Sequence, residues 1–183
     1  MYLLRMKEGI QFRFEEAVQS VPDFPIPGVV FKDLGKVWKD AALCKEAIEW
    51  LAQQALELNV QAVAGIESRG FLFGMPLALR LGVPFIPIRK AGKLPGHVLA
   101  QAYQLEYGTA KIEMQSDALE AGERVLIHDD VLATGGTAAA CAALVEQSGA
   151  KIVAWSFLIE ISALKGRAKL VSGGTFMRPL LTT

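Results

Sequence analysis

The chain has 183 residues, of which 52% are hydrophobic, so one domain can bury a full core without disulfides. Lysine plus arginine equals aspartate plus glutamate at 19 each, which excludes an overall positive field able to hold a nucleic-acid backbone. The two cysteines, Cys44 and Cys141, fall on predicted helices among alanines and leucines and are interpreted as small buried hydrophobes in a reducing compartment. No segment approaches the length of a membrane span. These features predict a single cytoplasmic domain over residues 1–183, with no nucleic-acid or membrane partner.

The first half of the chain begins with a predicted amphipathic helix over residues 8–19. The next segment, VPDFPIPGVVFKDL, is predicted to be a loop because each of its three prolines removes a backbone donor. From Ala41 to Leu58, apolar residues share one helical stripe. The segment VQAVAGI then predicts a strand, GFLFGMPLALRLG a helix ended by Gly82, and PFIPIRK another strand.

The second half continues the alternation after a polar middle region. The segment RVLIHDD predicts a strand, a helix is expected from about Gly136 to Ser148 and closed by Gly149, and KIVAWSFLIE predicts another strand. Repeated alternation of strands and helices is typical of an α/β fold in which helices cover a parallel sheet.

The stretch RVLIHDDVLATGGT places two acids, Asp129 and Asp130, between a buried strand and a helix. It is neither a Walker loop nor a GxGxxG fingerprint. The ATGGT segment instead offers free amides and two threonine hydroxyls at a helix start, which suit one terminal monophosphate. The carboxylates would repel that phosphate and suit vicinal sugar hydroxyls. The alternative is a capped helix with two solvated acids, but the combination predicts a ribose 5-phosphate site at the end of a strand.

A second group of candidate site residues is cationic. Arg89, Lys90 and Lys93 lie at a strand end in IRKAGKLPG, and Arg69 lies in GIESRGF, just before a predicted helix. The alternative is a run of solvated charges on the surface. A cationic cluster beside the predicted phosphate-binding segment is, however, suited to a second phosphate group. Pyrophosphate fits this pattern.

Several motifs together resemble a known family. VLIHDDVLATGGT is similar to the phosphoribosyl-pyrophosphate signature of the type I phosphoribosyltransferases, and DFPIPGVVFKDL, AGIESRGFLFG, IRKAGKLPG and LEYGTAKIEMQSDAL narrow the resemblance to the adenine-specific branch. These motifs cover most of the chain from about Pro22 to Lys169. The resemblance implies a central, mainly parallel sheet flanked by helices, a small hood at about residues 21–36 and a flexible flap at about residues 94–112.

The resemblance also implies roles for individual residues. Those expected to bind ribose 5-phosphate are Asp129, Asp130, Ala133, Thr134, Gly135, Gly136 and Thr137. Those expected to bind pyrophosphate are Ser68, Arg69, Arg89, Lys90 and Lys93. Adenine is expected between Phe31 and Val131, read by backbone groups of Val30 and Lys32. Glu106 is the expected catalytic residue, in contact with adenine near N7.

Two positions depart from the pattern that the resemblance suggests, with Glu67 where aspartate is more usual and Lys32 where arginine is common. The peptide between Glu67 and Ser68 is expected in an unusual, cis form. His128 replaces a small apolar residue and is interpreted as a packed or interface histidine, because strand alternation points it away from Asp129.

The implied reaction is attack of adenine N9 on phosphoribosyl pyrophosphate with inversion, giving AMP and pyrophosphate. Mg²⁺ is expected mainly on the phosphates of the substrate, with no dedicated protein cage for a metal. A homodimer is implied, with Arg89 reaching the pyrophosphate site of the neighbouring subunit. Two alternatives remain: an enzyme for guanine, hypoxanthine or xanthine, and a non-enzymatic regulator that keeps the phosphoribosyl site.

Overall fold

The computed structural model describes residues 2–104 and 108–183 of the chain, with side chains from residue 9 onward. Helices in this part are α1 (Tyr2–Ala17), α2 (Gly35–Lys39), α3 (Ala41–Ala55), α4 (Gly70–Leu81) and α5 (Gly136–Gln147). Strands are β1 (Gln19–Val21), β2 (Phe31–Asp33), β3 (Ala62–Ile66), β4 (Phe85–Lys90), β5 (Val98–Gln104), β6 (Thr109–Gln115), β7 (Arg124–Leu132), β8 (Lys151–Glu160), β9 (Thr175–Phe176) and β10 (Leu181–Thr182). None of the helices described is long and apolar enough to cross a membrane.

The main sheet has the strand order β10-β8-β7-β3-β4-β6-β5, with β9 paired to β8. The pairs from β10 through β4 are parallel, as is the β8–β9 pair, whereas β6 runs antiparallel to both β4 and β5. This mixed but mostly parallel sheet, covered by helices, confirms the predicted α/β fold. Because β3, β4 and β7 are parallel neighbours, their carboxyl ends meet at one edge.

Two hydrophobic clusters lie on opposite faces of the sheet, and strand alternation divides the strands between them. In β7, Val125 and Ile127 belong to the cluster that packs against α5, and Leu126 belongs to the cluster that packs against α1, α3 and α4. All three residues are fully buried. The apolar run that predicted β7 is therefore explained by burial on both faces of the sheet.

The structure corrects two details of the sequence prediction. Helix α1 extends over Tyr2–Ala17 and not residues 8–19. The proline-rich segment is not a loop throughout, because Phe31, Lys32 and Asp33 form β2, which pairs antiparallel with β1. The prolines all lie in the turn between these strands, so the backbone donors of both strands stay available for pairing. The β1–β2 hairpin and its turn are called the hood below.

Candidate active site at the carboxyl edge of the sheet

The carboxyl ends of β3, β4 and β7 bring the predicted site residues to one edge of the sheet. The turn after β3 carries Ser68 and Arg69, and β4 ends at Lys90. A side chain at Gly70, the first residue of α4, would place its Cβ 2.9 Å from Asp129 Oδ1 on β7. This close approach of the start of α4 to the acid pair requires glycine. We call this edge, with the loop that follows β7, the rim.

The two acids at the end of β7 differ in exposure. Asp130 is 5% exposed, whereas Asp129 is partly open to solvent and accepts a hydrogen bond from Asp130 N at 2.9 Å. Burial and the adjacent Asp130 carboxylate raise the pKa of Asp129 well above its usual value. A carboxyl group held close to a second one is poised to share protons or to accept hydrogen bonds from hydroxyl groups.

The loop after β7 forms the start of α5, as the motif predicted. Gly135 is the N-cap of α5 with φ of 77°, and no side chain caps the first turn. The backbone near Gly166 passes close to this loop. A Cβ at Gly135 would lie 2.4 Å from Gly166 O, and a Cβ at Gly166 would lie 2.3 Å from Ala133 O. Uncapped amides at the start of a helix suit an anion such as a phosphate. Thr134, Gly136 and Thr137 complete this loop and are partly exposed.

Arg69 lies between the acid pair and the hood. It forms an ion pair with the Asp130 carboxylate, and its Nη2 donates to Lys32 O at 2.8 Å. The guanidinium also lies over the Phe31 ring, at 4.8 Å from the centroid, and 5.8 Å from the centroid of Trp38. The sequence predicted a pyrophosphate contact for Arg69, and that role stays a prediction. The contact with the hood was missed.

The predicted pyrophosphate residues of β4 gather around Glu67. Its carboxylate accepts hydrogen bonds from Arg89 Nε at 3.2 Å and from Lys90 N at 2.9 Å, and Arg89 Nη1 donates to Lys93 O at 3.2 Å. Burial acts to raise the pKa of Glu67, but the hydrogen bonds from Arg89 and Lys90 outweigh it and the pKa is lowered. The structure therefore brings Arg89, Lys90 and Lys93 together. The Glu67–Ser68 peptide is cis, as expected.

The predicted adenine residues lie on the hood and at the end of β7. Val30 is 50% exposed, Phe31 and Lys32 are half-buried on β2, and Val131 is half-buried on β7. Lys32 Nζ donates to Ser20 Oγ at 3.0 Å across the hairpin, and Phe24 contacts Phe31 edge to face at 5.2 Å. The ring of Phe31 is thus held by contacts on more than one side, with part of its surface left open.

His128 is packed in the protein core. It is fully buried, its Nδ1 forms a hydrogen bond with Ser156 Oγ at 2.9 Å, and burial lowers its pKa to about 3. A histidine that stays neutral at physiological pH is not a proton carrier. The interpretation as a packed histidine is confirmed. Of the cysteines, Cys141 is buried as expected, whereas Cys44 is only partly buried and donates to Val37 O at 3.2 Å.

The flap prediction concerns β5 and β6, which pair as an antiparallel hairpin at the end of the sheet. A Cβ at Gly136 would lie 3.5 Å from Gln104 O, so the end of β5 lies beside the loop from Ala133 to Thr137, which is called the phosphate loop below. Glu106, the predicted catalytic residue, lies outside the described residues.

A separate groove of about 420 Å³ lies where α1 faces α2 and the start of α3. It is lined by Phe12, Arg13, Glu16, Ala17, Lys36, Asp40 and Leu43. None of the predicted site residues lines it. The rim is the better candidate because it joins an acid pair, a phosphate loop and a cationic cluster.

Comparison with known proteins finds relatives along most of the chain. Residues 36–170 match the phosphoribosyl transferase domain family. An adenine phosphoribosyltransferase from Roseiflexus sp. strain RS-1 is 52% identical over 155 residues, which are 85% of this chain and 90% of the relative. An adenine phosphoribosyltransferase from Thermobifida fusca is 48% identical over 165 residues, which are 90% of this chain and 94% of the relative.

Solved structures give the same result. The crystal structure of adenine phosphoribosyltransferase from Thermoanaerobacter pseudethanolicus has a TM-score of 0.91 and 44% identity, covering 94% of this chain and 99% of that one. The enzyme from Saccharomyces cerevisiae, complexed with an imino-altritol bisphosphate and adenine, has a TM-score of 0.87 and 39% identity, covering 93% and 99% of the two chains.

Proposed function

We propose a function from one premise: this chain belongs to the adenine phosphoribosyltransferase family of the relatives named above. The function is transfer of the 5-phosphoribosyl group from phosphoribosyl pyrophosphate to adenine N9, giving AMP and pyrophosphate. The enzyme is a pentosyltransferase of purine salvage.

One observation carries the proposal. The partly open Asp129 precedes an uncapped helix start on the same chain segment, so hydroxyl-binding carboxylates and phosphate-binding amides are fixed only a few residues apart. A ribose 5-phosphate presents vicinal hydroxyls and a terminal phosphate, which matches both parts. Neither part alone selects a phosphorylated sugar.

The chain's residues act mainly by positioning the reacting groups. Asp129 and Asp130 hold the ribose hydroxyls, the loop from Ala133 to Thr137 holds the 5-phosphate, and the hood holds adenine against Phe31. The pyrophosphate, whose negative charge increases as it leaves, is bound by Ser68, Arg69, Arg89, Lys90 and Lys93. Glu106 contacts adenine near N7 and assists proton movement as N9 attacks the anomeric carbon. Closure of the flap keeps water from an oxocarbenium-like transition state.

Mg²⁺ accompanies the pyrophosphate in this proposal. Among the described residues no group of three or more histidines, cysteines, aspartates or glutamates is arranged to hold a metal ion. The carboxylate oxygens that the acid pair offers at the rim fit an ion that takes its other ligands from phosphate oxygens and water. When bound, Mg²⁺ would neutralise charge on the leaving group. A cytoplasmic location, consistent with two free cysteines, stays a prediction.

The test is a product assay with each base separately. The protein is incubated with Mg²⁺, phosphoribosyl pyrophosphate and adenine, hypoxanthine, guanine or xanthine, and nucleotides are separated by chromatography. AMP from adenine, with little product from the other bases, is the expected result. IMP or GMP as the main product would favour the alternative of a 6-oxopurine enzyme. Binding of labelled phosphoribosyl pyrophosphate without any product would favour a regulator.

We propose a homodimer as the active form. Helix α4 begins at the rim and exposes an apolar stripe formed by Leu72, Met75 and Leu79, at the spacing of one helix face. A second copy of the chain is the occupant that this stripe fits, because a homodimer would cover both stripes at once. Within one chain Arg89 contacts Glu67 and Lys93, and its reach into the partner's site stays a prediction.

Complementation tests the dimer. Arg89→Ala protein and Asp129→Asn/Asp130→Asn protein are each expected to be inactive. After subunit exchange, activity should partly return, because one site of the heterodimer combines an intact acid pair with an intact Arg89. Verified heterodimers that stay inactive would show that Arg89 acts within its own chain. A fully active monomer on a sizing column would refute the dimer.

A further inference from the structure

Arg69 joins three parts of the molecule that are distant in sequence. Its guanidinium pairs with Asp130 at the end of β7, donates to Lys32 O on the hood at 2.8 Å, and lies over the Phe31 ring. The ring of Trp38, on α2, also lies near the guanidinium, with its centroid at 5.8 Å. One side chain thus contacts the acid expected to bind ribose and the aromatic ring expected to bind adenine.

The geometry of the guanidinium explains why this link is rigid. An arginine carries five N–H donors in one plane, and its Nε and Nη2 here face Asp130 and Lys32 O. These two contacts, with Asp130 and with Lys32 O, hold the guanidinium plane in one orientation. The Arg69 Cζ atom lies 4.8 Å from the centroid of the Phe31 ring. Movement of Asp130 would therefore move the contact with Phe31.

The charges make Asp130 and Arg69 depend on each other. Asp130 is 5% exposed and lies next to a second carboxylate, so burying it without a cation would be unfavourable. Among the described residues Arg69 is the cation that pairs with Asp130. The hood itself is largely exposed, with Phe24, Ile26 and Val30 open to solvent. Arg69 is a tether between this exposed hairpin and the buried rim.

We propose that Arg69 is a positioning residue that couples the two substrate pockets, so that occupation of the ribose pocket at the acid pair orders Phe31 for adenine. The inference rests on the proposed function, because it takes ribose and adenine as the two ligands. Ribose hydroxyls that bind at the acid pair restrain the Asp130 carboxylate, and Arg69 transmits the restraint to Lys32 and Phe31. Coupling of this kind is reciprocal, so adenine also tightens binding at the ribose pocket.

The experiment uses ligands that do not react with each other. Adenine is titrated into the protein by calorimetry, with and without saturating ribose 5-phosphate, which has no leaving group. In the wild type, ribose 5-phosphate should tighten adenine binding by at least about fivefold. The coupling ratio is the Kd for adenine without ribose 5-phosphate divided by the Kd with it. In Arg69→Lys, this ratio should fall to near one, because an amine keeps the charge but lacks the planar fork. Asp130→Asn, which removes the other end of the link, should give the same loss.

The matched control is Arg80→Lys. Arg80 donates to the Glu49 carboxylate at 2.6 and 3.0 Å on the surface, so the same substitution at a similar ion pair leaves the link intact. Its coupling ratio should equal that of the wild type. If adenine alone binds too weakly to measure, the wild-type ratio becomes a lower limit, and Arg69→Lys should show no adenine binding with ribose 5-phosphate either.

Several results would overturn the inference. A folded Arg69→Lys protein that keeps the wild-type ratio would show that Arg69 does not carry the coupling. A wild type that forms AMP but has a ratio of one would show that no coupling exists. A wild type that forms no AMP from adenine contradicts the proposed function instead, so the two failures are distinguishable. If Arg69→Lys fails to fold, a folded Asp130→Asn protein with the wild-type ratio also refutes the link.

Discussion

The rim and the hood differ in how the fold supports them. Strand β7, which carries the acid pair, is paired on both sides, with β3 and with β8, and its core residues are fully buried. Among the described residues the hood strands β1 and β2 pair only with each other, and much of their turn is exposed. The rim is suited to hold a phosphorylated sugar in one geometry, whereas the hood can adjust around a flat base. Substitutions at the two places should therefore have different effects.

The largest effect is expected at Asp129, on the rim. Asp129→Asn keeps the shape and the acceptor for Asp130 N but removes the carboxylate that is proposed to accept a hydrogen bond from a ribose hydroxyl. Loss of a hydrogen bond to a charged group corresponds to about 1.5 to 3 kcal/mol, so kcat/KM for phosphoribosyl pyrophosphate should fall about 10- to 100-fold. Steady-state kinetics measures this fall in kcat/KM, and Asp117→Asn, at an exposed position, is the control. Unchanged kinetics would exclude Asp129 from the sugar site.

The Asp129→Asn variant should also differ from the wild type in how the free energy of unfolding depends on pH. Because the folded pKa of Asp129 is raised, the folded state holds its proton more tightly than the unfolded state. The stability from this group is fully present below the unfolded pKa of about 3.9 and is lost as pH rises through the folded value. Denaturant unfolding from pH 4 to 8 should show Asp129→Asn gaining stability relative to wild type as pH rises. A constant difference would contradict the raised pKa.

The next effect is expected at Gly166, which supports the phosphate loop from outside the motif. In Gly166→Ala the new Cβ would lie 2.3 Å from Ala133 O, so the backbone of one of the two segments must shift. Overpacking of this kind reduces the free energy of unfolding by about 1 to 3 kcal/mol. The KM for phosphoribosyl pyrophosphate should rise as well, since the loop moves. Gly9→Ala, with open space around its Cβ, is the control and should not destabilise the protein.

A smaller effect is expected at the hood. Phe31→Ala removes the stacking surface proposed for adenine, a loss of about 0.5 to 1.5 kcal/mol beyond the area buried. The KM for adenine should rise more than the KM for phosphoribosyl pyrophosphate, which should change only through loss of the coupling described above, and this difference separates hood from rim. Exposed Phe12→Ala, on α1, is the control. Equal changes in both KM values would show that the two regions are not distinct.

The smallest effect is expected below the rim at Ser156. Ser156→Ala leaves His128 Nδ1 without its hydrogen bond in a fully buried position, which lowers the free energy of unfolding by about 1 kcal/mol. Turnover should be unchanged, because His128 supports the fold and takes no part in the chemistry. Exposed Ser116→Ala is the control. A large fall in turnover with unchanged stability would make His128 part of the site.

Much of the rim is predictable because its residues are contiguous. The acid pair and the loop from Ala133 to Thr137 follow one strand, so local pattern places them together without knowledge of the rest of the fold. The cationic residues of β4 were likewise predicted to lie near the phosphates, since parallel strands end at one edge. The hood was predicted less well. Its strands are three residues long, and periodicity gives no signal over so short a length.

By itself the sequence determined the alternation of helices and strands, the parallel sheet and the ribose-phosphate motif, because these depend on periodicity and on neighbours along the chain. Only the tertiary structure decided that Arg69 reaches across 37 residues to Lys32 O, or that Gly166 lies against Ala133. Neither contact leaves a local pattern, since each depends on the register of strands and the packing of segments far apart in sequence. The physical reason is that hydrophobic burial sets these distances globally, whereas motifs record only local chemistry.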